Sequence, residues 1–554
     1  MTWCAHVPSF SASPLWALLQ GSVVAAYALV QVLVVVYASQ RYVTLWRWWR
    51  AARSAPPVLP VPGRWPRVTV QLPLYNEPRV VERLIDAVAS LDYPRDRLEV
   101  QVLDDSTDET TALARAAVER HRLRGLDIVL AHRAGRDGYK AGALASGLER
   151  ATGELVAVFD ADFVPDSDFL ERLVPNFEDP RVGMVQARWG HLNRERSLLT
   201  VAQAVMLDSH FILEHAVRMR SGLFFNFNGT AGLWRRSCIE RSGGWTHDTL
   251  TEDLDLSYRA QLQGWRFVFD SAVESPAELP ADMEAFKSQQ RRWAKGSVQT
   301  ARKLLPRIMA ARLPRRVKLE AFFHLTGNFA YPLLLALALL LLPVMAEVPR
   351  LTGRLIGALD LAVIVTGVVP AGLFLAAGQR ALGSSGWRTL RDVLAAIVVG
   401  AGVSANNARA VLEGLGERLG DWDRTPKAGD QARAPAPPRP RGFPLRGGRQ
   451  GLVELALAAY FATLTAVAWR HGHAQALPFI LLLMTGFGYV GWSSLRATSI
   501  PVEGAPQAPR GGRSWETACR GGRSGCRRPP SSGAAPRHKG TPCERSRSRR
   551  SRSA

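Results

Sequence analysis

The sequence predicts an α/β domain with a mostly parallel sheet, inserted between membrane-spanning α-helices, and three observations carry that prediction. Short strand-like runs alternate with helix-like segments over residues 67–305, the pattern of a parallel sheet with crossover helices. Long apolar blocks stand on either side of this stretch. Several of the strand-like runs end in acidic or polar residues, and in parallel sheets ligands gather at the carboxyl ends of the strands.

The first apolar block, residues 16–37 (WALLQGSVVAAYALVQVLVVVY), carries no charge over 22 positions. That is enough to cross a hydrocarbon core of roughly 30 Å at about 1.5 Å per residue. No basic residue precedes it and it outruns the apolar part of a cleaved signal peptide, so it reads as a span over 14–40 with 1–13 outside. Arg41, Arg47, Arg50, Arg53, Arg64 and Arg67 follow with no acid among them. By the positive-inside tendency the linker 41–66 and the domain after it face the cytoplasm. Further spans are expected at 321–346, 355–377, 452–470 and 475–494, with a basic interfacial segment at 306–320. The run 393–405 (VLAAIVVGAGVSA) is only 13 residues long, which suits an interfacial or re-entrant helix over 387–412 better than a sixth span. With five spans the Arg-rich loop 413–450 and the basic end of the chain both fall in the cytoplasm.

Net charge is +22 in 554 residues, but from residue 505 onward thirteen basic residues face two acids, which is +11, half of the total. The tail 500–554, ending RSRSRRSRSA, lacks an apolar pattern and is expected to be disordered. Its charge suits attraction to anionic membrane lipid. A nucleic-acid-binding protein would carry its basic surface on a folded module, so no nucleic-acid partner is expected. A transporter would place ionisable groups within its spans, and there Asp360 stands almost alone. The five cysteines, Cys4, Cys238, Cys519, Cys526 and Cys543, show no metal-ligand spacing and suggest no disulfide framework.

Within the soluble stretch, VTVQLP (68–73), LEVQVLD (98–104), LDIVLAH (126–132) and ELVAVFD (154–160) read as strands, with helices at 78–90, 108–124 and 281–305. The strand ends lead into LPLYNE (72–77), LDDSTDE (103–109) and FDAD (159–162). Asp160 and Asp162, one residue apart, point into a cleft where a divalent cation would relieve their repulsion. The acids of LDDSTDE serve equally well as caps for the helix that follows. Thr251 followed by Glu252, Asp253 and Asp255 is also a helix N-terminus signature, with the threonine as cap and carboxylates in the first turn.

Downstream lie FNGTAGLWRR (227–236), LTEDLDLSYRAQLQGWRF (250–267) and QQRRWAKG (289–296). Together with QVLDDSTDET, GYKAGAL, FDADF, VQARW and DRTPK (423–427), these motifs resemble the family-2 glycosyltransferases, in the processive cellulose-synthase-like branch. Within it the chain is most similar to synthases of glucomannan and xyloglucan backbones. The resemblance spans about residues 14–495 and implies a GT-A-type nucleotide-sugar transferase domain.

It also implies roles. Asp160 and Asp162 would hold Mg2+ or Mn2+ against a nucleotide diphosphate. Glu77 and Asp104 or Asp105 would contact the nucleoside, and Lys140 the phosphates. Asp253 would be the general base. Asn228, Gly229 and Thr230 of FNGTAG, with Glu252, Gln289, Arg292 and Trp293, would form the acceptor site, the indole offering a flat face to a sugar ring. The implied reaction is inverting transfer of a hexose from GDP-mannose or UDP-glucose to a β-1,4-linked polysaccharide, processive and coupled to export. The rival is a non-processive transferase that adds one sugar to a lipid acceptor.

Overall fold

The computed structural model describes residues 14–51, 62–347, 361–362, 364–416, 427, 429, 447–470 and 474–498. The expected external segment 1–13, most of the loop 413–450, Asp360 and the tail 500–554 lie outside the described residues.

Seven strands form one sheet: β1 (Val68–Leu74), β2 (Leu98–Asp104), β3 (Asp127–His132), β4 (Leu155–Val158), β5 (Val182–His191), β6 (Gly232–Arg235) and β7 (Arg266–Ala277). Their order is β3-β2-β1-β4-β6-β5-β7. The pairs β1/β2, β1/β4, β2/β3 and β5/β7 are parallel, and β6 runs antiparallel between β4 and β5. The first four strands fall where the apolar runs place them, because both faces of the central strands are covered and their residues are nearly all buried. One face is apolar, with Val68, Val70, Leu72, Val100 and Val102 in a single cluster. The other carries a buried polar ladder in which Thr69 donates to Glu99 at 2.6 Å and Gln71 to Gln101 at 3.1 Å. Strands β5, β6 and β7 are additions to the sequence reading.

The expected helices appear as Val81–Ala89, Thr110–Arg122 and Met283–Ala310. The last outruns its expected end and passes through Pro306. The basic stretch expected as an interfacial segment therefore ends this helix and opens Arg315–Thr326, with a non-helical break over 311–314 between them.

Among the described residues five helices are long and apolar enough to cross a membrane: Leu18–Arg50, Arg315–Val344, Ile364–Ala381, Gly448–Arg470 and Leu477–Arg496. The short apolar run lies in a helix pair, Gly386–Gly402 and Ser404–Gly414, bent by 48°. Gly402 sits against Gly486 so closely that a Cβ on Gly402 would come within 2.2 Å of the Gly486 carbonyl oxygen, the small-residue contact by which helices approach closely in an apolar medium. One ionisable residue inside a span corrects the sequence reading. Glu454 is fully buried and pairs at 2.9 Å with Lys287, which is itself buried and reaches Ser494 at 3.1 Å.

Candidate active site

The strand order reverses between β1 and β4, and a cleft opens there, beyond their carboxyl ends. After β1 come Tyr75 and Glu77, both lining it. The Arg136 guanidinium stacks 3.4 Å over the Tyr75 ring, leaving a flat polar wall. After β2 the two neighbouring aspartates part company. Asp105 lines the cleft and accepts two bonds from Arg133, at 2.7 and 2.6 Å. Asp104 does not line it, which corrects that half of the paired expectation. Its buried carboxylate accepts from the Ser106 amide at 3.0 Å and the Thr111 hydroxyl at 2.6 Å, and meets His132 at 2.9 Å. Burial pushes Asp104 up, but these hydrogen bonds outweigh it and hold the carboxyl below its usual range. Asp104 thus ties the turn to the next helix.

Asp160 and Asp162 follow β4 and line the floor. Each faces an ammonium: Lys140 Nζ is 2.5 Å from Asp160 Oδ1, and Lys427 Nζ is 2.6 Å from Asp162 Oδ2. Burial pushes both lysines down, but the surrounding carboxylates, Asp160 foremost for Lys140 and Asp162 for Lys427, pull their pKa values above the usual lysine range. In the sequence Lys427 stands out only as part of DRTPK, since 265 positions separate it from its partner. Thr230, expected at the acceptor, is buried and does not line the cleft; its hydroxyl accepts from the Asp160 amide at 2.9 Å and so sets the backbone of the acid pair.

The two carboxylates fit a divalent cation. Positive charge already sits on one oxygen of each, and hard cations are commonly held by one or two carboxylates plus substrate phosphates and water. Among the described residues no cluster of three or more metal-ligating side chains exists, so the remaining ligands would come from the diphosphate and water.

Opposite stands the first turn of helix Glu252–Leu262. Thr251 makes no side-chain cap bond, contrary to the capping expectation; its hydroxyl pairs with Thr300 at 3.2 Å. Asp255 serves structure, meeting Arg259 at 2.7 Å and Lys303 at 2.8 Å. Asp253 and Glu252 line the cleft. Asp253 Oδ1 accepts from the Leu254 amide at 2.8 Å. Its pKa is pushed up to about 7, first by burial and then by the neighbouring Glu252, with Lys140 opposing. Burial likewise raises Glu252, again against Lys140. Gly229 adopts φ +83°, and a Cβ there would sit 3.0 Å from Asp253 Oδ2, so glycine leaves room beside that oxygen. Gln289, Arg292 and Trp293 close the cleft from one face of Met283–Ala310, as spacings of three and four allow. Asn228 also lines it, while His191 and Trp189 are cleft residues for which the sequence offered no role.

An acid pair just beyond the switch in strand order of a mixed, mostly parallel sheet is the arrangement of a GT-A-like glycosyltransferase domain. Residues 66–296 match the family described as glycosyltransferase like family 2. The chain is 33% identical over 443 residues to glucomannan 4-beta-mannosyltransferase 7 of Arabidopsis thaliana, covering 77% of each chain. It is 34% identical over 448 residues to glucomannan 4-beta-mannosyltransferase 9 of the same plant, covering 77% of this chain and 81% of that one. Among solved structures it is similar to a mannosyltransferase from Pyrobaculum calidifontis in complex with GDP-Man and Mn2+, at 26% identity and a TM-score of 0.46, over 70% of this chain and 99% of that one. The chain belongs to the family-2 glycosyltransferases and is a hexosyltransferase.

Proposed function

We propose that this protein transfers a hexose, with inversion, from GDP-mannose or UDP-glucose to the end of a growing β-1,4-linked mannan or glucan, processively and at the cytoplasmic face of the plasma membrane. The observation that carries the reading is the placement of Asp253, a half-buried carboxylate with a raised pKa, in the same cleft as Asp160 and Asp162. The glucomannan 4-beta-mannosyltransferases it resembles support the polymer class.

In the proposed step Asp253 Oδ2 takes the proton of the acceptor hydroxyl, whose oxygen attacks the anomeric carbon as the bond to the diphosphate breaks. A divalent cation held by Asp160 and Asp162 would supply charge to stabilise the departing diphosphate. Lys140, already bonded to the Gly229 carbonyl at 2.9 Å, holds the acceptor loop against the phosphate side. The Tyr75–Arg136 wall and Asp105 receive the nucleoside, and Trp293 offers a stacking face to the acceptor sugar. The helices flanking the domain give the polymer a route out.

Membranes containing the full chain, supplied separately with labelled GDP-mannose and UDP-glucose, test this. A long product cleaved by a β-1,4-specific mannanase or glucanase is expected. Label recovered as a single sugar on lipid establishes the non-processive rival, and no transfer from either donor overturns the reading.

A further inference from the structure

Asn228 is held by a structure that the transfer chemistry leaves unexplained. Between helices Leu198–Ser209 and Ala216–Arg220 lies one π-helical turn, His210–His215. In an α-helix, residues five apart point about 140° away from each other at roughly 3.6 residues per turn. A π turn closes at the fifth residue and stacks them. His210 and His215 accordingly lie with ring centroids 4.4 Å apart, and both reach the same amide. His215 Nε2 is 2.7 Å from Asn228 Oδ1 and 3.0 Å from the Asn226 carbonyl. His210 Nε2 is 3.2 Å from Asn228 Nδ2.

Donors and acceptors around this pair admit one assignment. Glu214 is ion-paired with Arg41 of the first membrane helix and sits 2.8 Å from His210 Nδ1. Burial pushes Glu214 up, but Arg41, His210 and Arg218 hold it well below the usual carboxylate range, so it only accepts. His210 therefore carries its proton on Nδ1, and its Nε2 accepts from the Asn228 NH2 group. His215 lies against the rings of Phe211, Phe225 and Phe269. Its buried Nδ1 has no hydrogen-bond partner, so Nε2 bears the hydrogen and donates to Asn228 Oδ1. A flipped amide would set N–H against N–H and oxygen against a lone pair. The Asn228 backbone is fixed too, its N–H donating to buried Gln186 at 2.9 Å.

We propose that His210 and His215 are positioning residues that clamp the Asn228 side chain in one orientation. One N–H and one carbonyl lone pair are thereby aimed at an acceptor sugar hydroxyl, in the cleft that Gly229 and Asp253 also line. This rests on the assignment of a saccharide acceptor to the cleft. Through Glu214 and Arg41, the clamp joins the acceptor site to the seating of the first membrane helix.

The test uses the full chain in nanodiscs, with β-1,4-linked mannose or glucose oligomers as acceptors. Wild type is run first: absence of transfer to any oligomer sinks the saccharide-acceptor reading itself. Given transfer, His210→Ala and His215→Phe should each raise the acceptor KM by roughly 5- to 20-fold, the loss of one or two hydrogen bonds. Donor KM and acceptor-free donor hydrolysis should stay within about two-fold. His210→Gln, which keeps an acceptor atom, should recover most of the loss. In an Asn228→Ala background the histidine changes should add less than about two-fold, since their target is gone. Equal damage to donor and acceptor parameters, or histidine effects that persist in full without the Asn228 amide, overturns the clamp. Should both histidine variants fail to fold, Asn228→Ala alone should raise the acceptor KM by roughly 5- to 20-fold with donor KM unchanged, and an acceptor KM that stays at the native value in that variant is equally fatal.

Discussion

Replacing Asp253 by Asn isolates the proposed base from everything else in the cleft. The side chain keeps its shape and its Oδ1 keeps the bond from the Leu254 amide, 2.8 Å in the native protein. Only Oδ2, beside Gly229, becomes an NH2 group that cannot take a proton. The expected loss is that of a general base, 10²- to 10⁴-fold in kcat, or about 3–5 kcal/mol at 1.36 kcal/mol per decade. Donor KM should change little, because Lys140, Lys427 and the acid pair stay in place. The native enzyme should show an acid limb in kcat/KM centred near the Asp253 titration at about 7, falling roughly tenfold per pH unit below it. The variant should lack that limb. Stability should move oppositely. Because the folded-state pKa lies above the ordinary aspartate value of about 3.8, the folded protein binds more protons than the unfolded chain between the two. Stability from this group is therefore fully present at low pH and lost as pH rises through about 7. Asp253→Asn should accordingly melt higher than wild type at pH 8, with the gap closing toward pH 5. Initial rates with labelled donor, with thermal unfolding at both pH values, measure this. A variant retaining more than a tenth of the native rate, or the same acid limb, refutes the role of Asp253.

Three further outcomes follow from the geometry. Excess chelator should stop turnover and added Mg2+ or Mn2+ restore it, while Asp162→Ala stays inactive at all metal concentrations; undiminished turnover in chelator would remove the cation from the mechanism. Gly229→Ala should lower kcat more than tenfold with donor KM retained, since the new methyl takes a left-handed φ of +83° and lands 3.0 Å from Asp253 Oδ2; native rates would place the acceptor elsewhere. Lys287→Met alone should cost about 3–5 kcal/mol by leaving Glu454 buried and unpaired, whereas Lys287→Met with Glu454→Met should be nearly neutral; a double variant as unstable as the single, by denaturant unfolding in detergent, contradicts this.

How much of this was readable from the chain depends on the range over which each feature is encoded. Strands β1, β2, β3 and β4 announce themselves because they are buried runs followed by polar ends, and the helix carrying Gln289, Arg292 and Trp293 because its spacing is local. Strand β6 is four residues following a loop motif, too short for a pattern. In β5, Gln186, Arg188 and His191 interrupt the apolar alternation, although Gln186 is buried and bonded to the FNGTAG loop. Asp104 and Asp105 could not be told apart in sequence because neighbouring residues at a strand end face opposite ways, and only the register with β1 decides which one meets the cleft. Thr230 illustrates the same limit: within FNGTAG, Asn228 and Gly229 reach the cleft, while Thr230 turns inward to hold Asp160.

Long-range pairings leave still less trace. Lys427 meets Asp162, and Lys287 meets Glu454 inside a span, across 265 and 167 positions respectively. Nothing at either end of such a pair marks its partner. A lone glutamate near the start of the apolar run 452–470 looks like a boundary residue until a lysine arrives from the transferase domain. Unpaired, each buried charge would be too costly to keep, so the Lys287–Glu454 pair requires the apolar helices and the transferase domain to dock in one way. The His210–His215 turn follows the same logic, since Arg41 of the first span supplies the charge that fixes Glu214, which fixes the His210 tautomer and with it the Asn228 amide. Motif residues thus name the chemistry, while the groups that aim them come from distant parts of the chain, Arg41 of the first apolar helix among them, that no local pattern connects to the cleft. Function should therefore be more sensitive to changes at these buried contacts than their distance in sequence from the motifs would suggest.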